Sequence, residues 1–316
     1  MIFPEPVALE EIDLDQIEAL LEEEIQRYRE WYRWDFSGTA RLVRQLVATH
    51  SLSGVALLVR GRVVGYSYIV VEEAKALIGD AYVMEEWATP ECERLLMAST
   101  VEAVRRFGQV RRLESQPMML RYVYSHPRAE RFERQFMEAD LKRVKWPEDY
   151  RGPTEYRIEA WNWRMEEEVA QLLYRAYRGH MDADINDQYR APARARVYLS
   201  NMIRYPACGG FSSESSYLVS DKRDGRLVGA LLASVAEGVD GKVGHVAQLC
   251  VEPGVRRGGL GRLLMLGALA KFCELGCDYT TLTVTSGNAG ALRLYQSLGY
   301  QERARLAAYV WPVWPF

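Results

Sequence analysis

Between Leu14 and Tyr32 apolar residues recur at Ile17, Leu20, Leu21 and Ile25, spaced three or four apart among charged ones. That is the spacing of one buried helical face. The stretch "TARLVRQLVATH" repeats it with Leu42, Val43, Leu46 and Val47, predicting a second amphipathic helix. From Gly54 the period changes. "GVALLVRGRVVGYSYIVVEEAKALIGDAYVM" holds three apolar or alternating runs, broken at Arg60-Gly61-Arg62 and at Glu72-Glu73-Ala74-Lys75, which reads as an antiparallel meander. A helix over "ECERLLMASTVEAVRRF" and a strand near "RRLESQ" follow.

The second half runs through the same order. A strand at "YRIEAW" is followed by helices at "EEEVAQLLYRAY" and around "RARVYLSNMI", then by the hairpin "SSYLVSDKRDGRLVGALLASV" with Asp224-Gly225 in its turn. Next come the strand "KVGHVAQLCV", a helix from about Gly259 to Glu274 and the strand "YTTLTV". The repeated order predicts two copies of one α/β unit, 1–150 and 151–316, joined where Pro147, Gly152 and Pro153 break the periodicity. A length of 316 residues suits two domains.

Composition narrows the function classes. Hydrophobic residues make up 48% and charged ones 26%, as in an ordinary globular chain with a real core. The net charge of −3 offers nucleic acid or an anionic membrane no long-range attraction, so neither is expected as a partner, and any anion site must be local. The acidic start "MIFPEPVALEEIDLD" lacks a signal pattern, and no apolar run is long enough to span a bilayer, which together read as cytoplasmic. The five cysteines are scattered and odd in number, so reduced thiols are expected. Cys273 and Cys277 have no second Cys/His pair with them, and no metal is expected.

The same four residues, "RLLM", close two stretches: "EEWATPECERLLM" ends at Met97 and "EPGVRRGGLGRLLM" at Met265. Only the later one carries glycines, Gly258, Gly259 and Gly261, flanked by Arg256, Arg257 and Arg262. A helix start leaves N–H groups unpaired and carries partial positive charge, so a glycine-containing lead-in there lets a phosphate approach the bare backbone. The Gly-Lys-Ser/Thr of a Walker loop and the wider glycine spacing of a Rossmann turn are both absent.

The stretch resembles the acyl-CoA signature of the GNAT superfamily, the GCN5-related N-acetyltransferases, in Val251, Pro253, Arg256, Gly259 and Gly261. A second family motif stands at Asn288, Ala291, Leu294, Tyr295, Gly299 and Tyr300. The resemblance covers about residues 155–316 and implies two tandem α/β (α+β) GNAT domains, each a mixed, mostly antiparallel sheet flanked by helices. It further implies that acetyl-CoA donates an acetyl group to a primary amine, of a small molecule or a peptide, by direct attack.

The implied roles are as follows. Backbone amides from Arg256 through Gly258, Gly259, Leu260 and Gly261 cradle the CoA pyrophosphate, with Arg256, Arg257 and Arg262 adding charge. The strand segment Leu249, Cys250 and Val251 splays from its neighbour and pairs with the pantetheine arm through the backbone of Leu249 and Val251. Asn288 holds that arm from the other side, and Tyr295 protonates the departing thiolate as general acid. For the base, His245 lies six residues before Val251, where several family members carry a glutamate acting through water; Gln248, Glu237 and His180 are weaker candidates. A cysteine at 250 reads as a small buried strand residue rather than a nucleophile.

Acceptor choice is expected from "AYRGHMDADINDQYRAPAR", where Asp182, Asp184 and Asp187 either meet a cationic amine or cap helices and face solvent, and from the tail carrying Trp311, Trp314 and Phe316. In the first copy, laying Met97 on Met265 puts Pro90, Glu91 and Glu93 on the three glycines, and side chains with negative charge there oppose a pyrophosphate. Laying "FERQFMEADL" on "ALRLYQSLGY" puts Phe136 at Tyr295, Asp140 at Gly299 and Ala129 at Asn288. The first copy is thus expected to be degenerate and the second catalytic. The competing reading is a non-catalytic acyl-CoA-binding or regulatory module.

Overall fold

The structure, a computed structural model, describes residues 3–144, 146, 152–204, 209–238 and 241–315. Two compact units divide the chain: Met1–Tyr32, Phe36–Arg134 and Leu306–Phe316 form one, and Arg33–Asp35 with Gln135–Arg305 form the other. The expected junction between residues 150 and 151 lies outside the described residues. Each unit takes a segment from the opposite half of the chain. The described helices include none long and apolar enough to cross a membrane.

In the first unit, β1 (Glu5–Ala8) precedes α1 (Leu14–Tyr32) and α2 (Ser37–Ala48), and the meander is β2 (Gly54–Val59), β3 (Arg62–Glu72) and β4 (Lys75–Val83). After α3 (Pro90–Ala103), β5 (Arg112–Ser115) pairs parallel with β4. The sheet's other edge of β5 is covered by the chain's far end: Tyr309, Val310 and Trp311 pair antiparallel with Ser115, Glu114 and Leu113. Trp311 and Trp314 are buried there with Leu96, Met97 and Val101 of α3. The apolar face of α1 is buried as its spacing predicts, with one polar addition, Glu24, whose carboxylate accepts the Tyr66 hydroxyl at 2.9 Å.

The second unit contains residues 135–140 of β6 (Glu130–Asp140), then β7 (Tyr156–Ala160), α4 (Glu166–Tyr177), the single turn α5 (Asp182–Ile185) and α6 (Pro192–Arg204). The short β8 (Gly210–Phe211), β9 (Tyr217–Asp221), β10 (Leu227–Gly238) and β11 (Gly241–Val251) lead into α7 (Leu260–Glu274). β12 (Cys277–Thr285), α8 (Ala289–Ser297) and β13 (Gln301–Trp311) end the chain. β10 pairs antiparallel with β8, β9 and β11, β7 antiparallel with β9, and β11 parallel with β12. One face of the sheet buries Leu264, Met265, Leu269 and Phe272 of α7, and the other buries Leu172 and Leu173 of α4 with Leu199 of α6.

Residues 130–140 are a strand, so the expected overlay of "FERQFMEADL" on the α8 motif fails. Phe136 is a buried strand residue against Trp34, with ring centroids 5.3 Å apart, and not a counterpart of Tyr295.

Candidate active site

The ladder between β11 and β12 stops at Val246 opposite Leu282, although both strands continue. At that point β11 carries a bulge: Gln248 pairs with Leu232 and Val246 with Ala233, leaving Ala247 as the extra residue. Beyond it β11 stays paired only with β10. The Glu252 N–H donates to the Val228 carbonyl at 2.8 Å, and ladder bonds alternate along an antiparallel strand. Cys250 and Gln248 therefore share the bonded register, while Leu249 and Val251 turn their N–H and C=O groups away from β10 and into the gap left by β12. The carbonyls of these two residues have partners. The Tyr177 hydroxyl donates to Leu249 at 3.2 Å and Arg256 Nε to Val251 at 2.9 Å. The expectation that the whole backbone of Leu249 and Val251 is open thus narrows to their N–H groups.

Two residues on, the chain makes one 3₁₀ turn at Pro253–Val255 and enters α7 through Arg257 at φ 66° and Gly259 at φ 84°. A left-handed backbone at the cap is where glycine costs no Cβ strain. The cap residue Gly259 has no side chain, and the Leu263 N–H donates to its carbonyl at 2.9 Å. The N–H groups of Leu260, Gly261 and Arg262 precede that bond and are not used by the helix. Arg256 does not reach toward them. Its guanidinium donates to the Val251 carbonyl and, at 2.6 Å, to the Ala176 carbonyl, stapling the loop to the end of α4. Arg257 is exposed at the turn, and Arg262 donates to Ser297 Oγ at 3.1 Å. Gly258 and Gly261 sit in the same lead-in; a Cβ on Gly261 would lie 3.3 Å from the Leu294 side chain. Leu260 is buried in the core below.

Across the gap, Asn288 caps α8 by accepting the Ala291 N–H at 3.1 Å. Tyr295, two helical turns beyond that cap, is 8% exposed, and burial followed by the Asp182 charge pushes its phenol well up, so it stays protonated. Cys250 points to the opposite face, among Leu172, Leu173 and Leu199, where burial pushes its thiol up to about 12 and leaves it inert. His245 also lies away from the gap, in the paired part of β11. Its ring is buried edge-on to Trp34, Nδ1 meets Thr281 Oγ1 at 2.9 Å, and burial lowers its pKa to about 4. It is neutral and closed off.

Sequence reasoning missed a tyrosine cage. Buried Gln248 accepts the hydroxyls of Tyr189 (2.9 Å) and Tyr198 (3.2 Å) through Oε1 and donates to Tyr177 at 2.5 Å, while Tyr177 stacks on Tyr189 with centroids 4.0 Å apart. Tyrosines spaced among helical core residues gave no signal of this, because the acceptor that gathers them is on a strand 50 or more residues later. Of the acidic trio, Asp184 pairs with Arg190 and Asp187 with Arg194; Asp182 instead accepts Thr285 Oγ1 at 2.6 Å beside the gap.

The first unit retains the same geometry in altered form. With Met97 on Met265, Val246 corresponds to Ile78, and the β4–β5 ladder stops at Ile78 opposite Ser115. Here the helix start is closed: Thr89 caps α3 by accepting the Cys92 N–H, and Pro90 at the first position has no N–H. Glu93, which replaces Gly261, is buried and accepts the backbone N–H groups of Arg121 (3.0 Å) and Tyr122 (2.9 Å). Asp80, which replaces Gln248, accepts the backbone N–H of Met118 and that of Ala81. The segment from Met118 to Tyr122 thus ties to both the strand and the helix start. Glu91, by contrast, is exposed.

Residues 183–300 match the acetyltransferase (GNAT) family. A mycothiol acetyltransferase of Thermobispora bispora is 44% identical over 82 residues, which are 25% of this chain and 28% of the relative. The human N-alpha-acetyltransferase 30 is 36% identical over 66 residues, 21% of this chain and 18% of the relative. The similarity therefore spans less than a third of either relative's length. In fold, a tandem GNAT protein from the clavulanic acid biosynthesis pathway superposes with a TM-score of 0.62 at 16% identity, covering 97% of this chain and 98% of that one. A GCN5-related N-acetyltransferase from Sphaerobacter thermophilus also gives 0.62, at 14% identity, covering 85% and 84%.

Proposed function

We propose that this tandem GNAT chain is an N-acetyltransferase that moves acetyl from acetyl-CoA to a primary amine, that its working site is in the C-terminal unit, and that its N-terminal copy binds no CoA. The observation that carries this reading is the gap beyond Val246–Leu282, into which the N–H groups of Leu249 and Val251 point. Those N–H groups pair with the amide-rich pantetheine arm, as an added strand would. The start of α7 at Gly259 takes the pyrophosphate on N–H groups with the helix dipole behind them. Tyr295, protonated and across the gap, delivers its proton to the leaving thiolate. Arg256 serves by fixing the loop rather than by touching phosphate.

The acceptor is an amine of a small molecule or of a peptide N-terminus, the two classes that the names of the similar segments suggest. In the N-terminal unit the Asp80 carboxylate takes the Ala81 N–H, which corresponds to that of Leu249, and Thr89 takes the Cys92 N–H at the start of α3.

Calorimetry with acetyl-CoA should give one site per chain, abolished by Gly259→Glu; two sites would overturn the assignment of the first copy. Thiol release measured across amino sugars, polyamines and peptides should reveal a consumed amine. CoA binding with no amine consumed would favour a non-catalytic acyl-CoA-binding module instead.

A further inference from the structure

β7 (Tyr156–Ala160) ends the run of paired strands: it pairs antiparallel with β9, Ile158 opposite Val219, and among the described residues no strand pairs with its other edge. The phase of that pairing fixes what the open edge presents. The Trp161 N–H donates to the Ser216 carbonyl at 2.8 Å and the Lys222 N–H to the Glu155 carbonyl at 3.0 Å, so Glu155, Arg157, Glu159 and Trp161 share the bonded register with β9. The N–H and C=O groups of Tyr156, Ile158 and Ala160 therefore point outward. Nothing covers them: Arg157 and Glu159 keep 66% and 57% of their side-chain surface, and Ile158 and Ala160 are exposed.

An edge with open backbone groups is a template for another strand, and charged residues on it keep chains apart where like charge meets like. Here the charges complement a second copy of themselves. Two β7 strands related by a twofold axis run antiparallel, and their open groups bond only where an outward residue faces an outward residue. With the axis at Ile158 all five residues pair. Ile158 then meets Ile158 of the second copy and Tyr156 meets Ala160, each pair exchanging two main-chain hydrogen bonds, while Arg157 lies opposite Glu159 in both directions. Arg157 and Glu159 stand on one face of the strand, Nη1 3.6 Å from Oε1, so each charge gains an opposite neighbour across the axis as well as along the strand. Moving the axis one residue either way sets Arg157 on its own copy or Glu159 on its own copy and leaves one end of β7 unpaired. Charge and hydrogen-bond phase thus select the same register.

We infer that β7 is the edge through which two copies of this chain associate, antiparallel about an axis at Ile158, with Arg157 and Glu159 of both copies forming a square of alternating charge. The association needs neither CoA nor an amine. The patch is small against the roughly 1,600 Å² of a standard interface, so the dimer forms reversibly and with rising concentration rather than permanently. Because β9 does not use the Ile158 N–H, a proline at that position removes the central bond of the dimer without touching the β7–β9 ladder.

Sedimentation velocity of the full chain at low salt, from about 5 to 500 µM, should show the weight-average mass rising from one chain toward two, and added salt should weaken the rise. Arg157→Glu and Glu159→Arg each set like charge against like across the axis and should each raise the dissociation constant about tenfold or more. The double variant Arg157→Glu/Glu159→Arg restores opposite charges and should return to within about threefold of the parent. Ile158→Pro should stay monomeric with an unfolding temperature close to the parent's; if it does not fold, the charge cycle decides alone. A parent that remains monomeric throughout the range overturns the assignment. So does a dimer that persists in folded Ile158→Pro, that ignores the single reversals, or that the double variant fails to recover.

Discussion

At the scale of a residue, the two helix starts differ by what stands at one corresponding position. Gly261 leaves the N–H groups at the start of α7 approachable, and Glu93 sends a carboxylate back to the Arg121 and Tyr122 amides. The sequence reading took the acidic substitution as repulsion of phosphate; its structural role is a tie within the unit. Replacing Tyr295 with Phe keeps the packing and removes the proton, so kcat for thiol release should fall about 10²-fold with little change in KM. A second prediction concerns Asp80, buried on β4 with the Tyr28 hydroxyl as donor and its pKa raised to about 6, chiefly by burial. Its folded-state pKa lies above the ordinary 3.8, so the folded chain holds more protons than the unfolded one between those values, and stability falls as pH rises through that window. Asp80→Asn, which removes the titrating carboxyl, should flatten the dependence of the unfolding temperature on pH between pH 4 and 7.

At the scale of an element, the site is a consequence of two neighbouring strands that part company. Gly244 lets α7 lie close to β11 just before they diverge, since a Cβ there would stand 2.4 Å from the Phe272 ring. Gly244→Ala should cost about 1–3 kcal/mol in chemical denaturation; a neutral result would show that α7 can shift without loss. The bounds of α1 were legible in the sequence because its apolar face repeats locally, and the glycine cluster marked the start of α7, where Gly259 takes the left-handed backbone. What was not legible came from distant pairing. β6 has no clean alternation, and its identity as a strand depends on neighbours far along the chain. The surroundings of His180, a weaker base candidate in the sequence, were not legible there because Asn288, which its ring meets, comes more than 100 residues later.

At the scale of the whole molecule, the repeat seen along the sequence is not the division seen in space. Residues 306–316 complete the first unit, and 33–35 with 135–140 belong to the second. Trp311 and Trp314 are buried in the first unit's core, so Trp311→Ala should cost about 3–5 kcal/mol and lower the unfolding transition of that unit. Deleting 306–316 should expose β5 and abolish that transition in calorimetry; retention of both transitions would show that the last strand is dispensable. A fragment starting at residue 151 lacks the residues 135–140 that its own unit contains and should be poorly soluble.

The exchange also sets a timetable. A ribosome adding about 5–20 residues per second finishes residue 134 roughly 9 to 36 seconds before residues 306–316 are made. Over that interval the nascent first unit carries β5 with no partner on one side, an exposed sheet edge that chaperones or its neighbours on a polysome are free to engage.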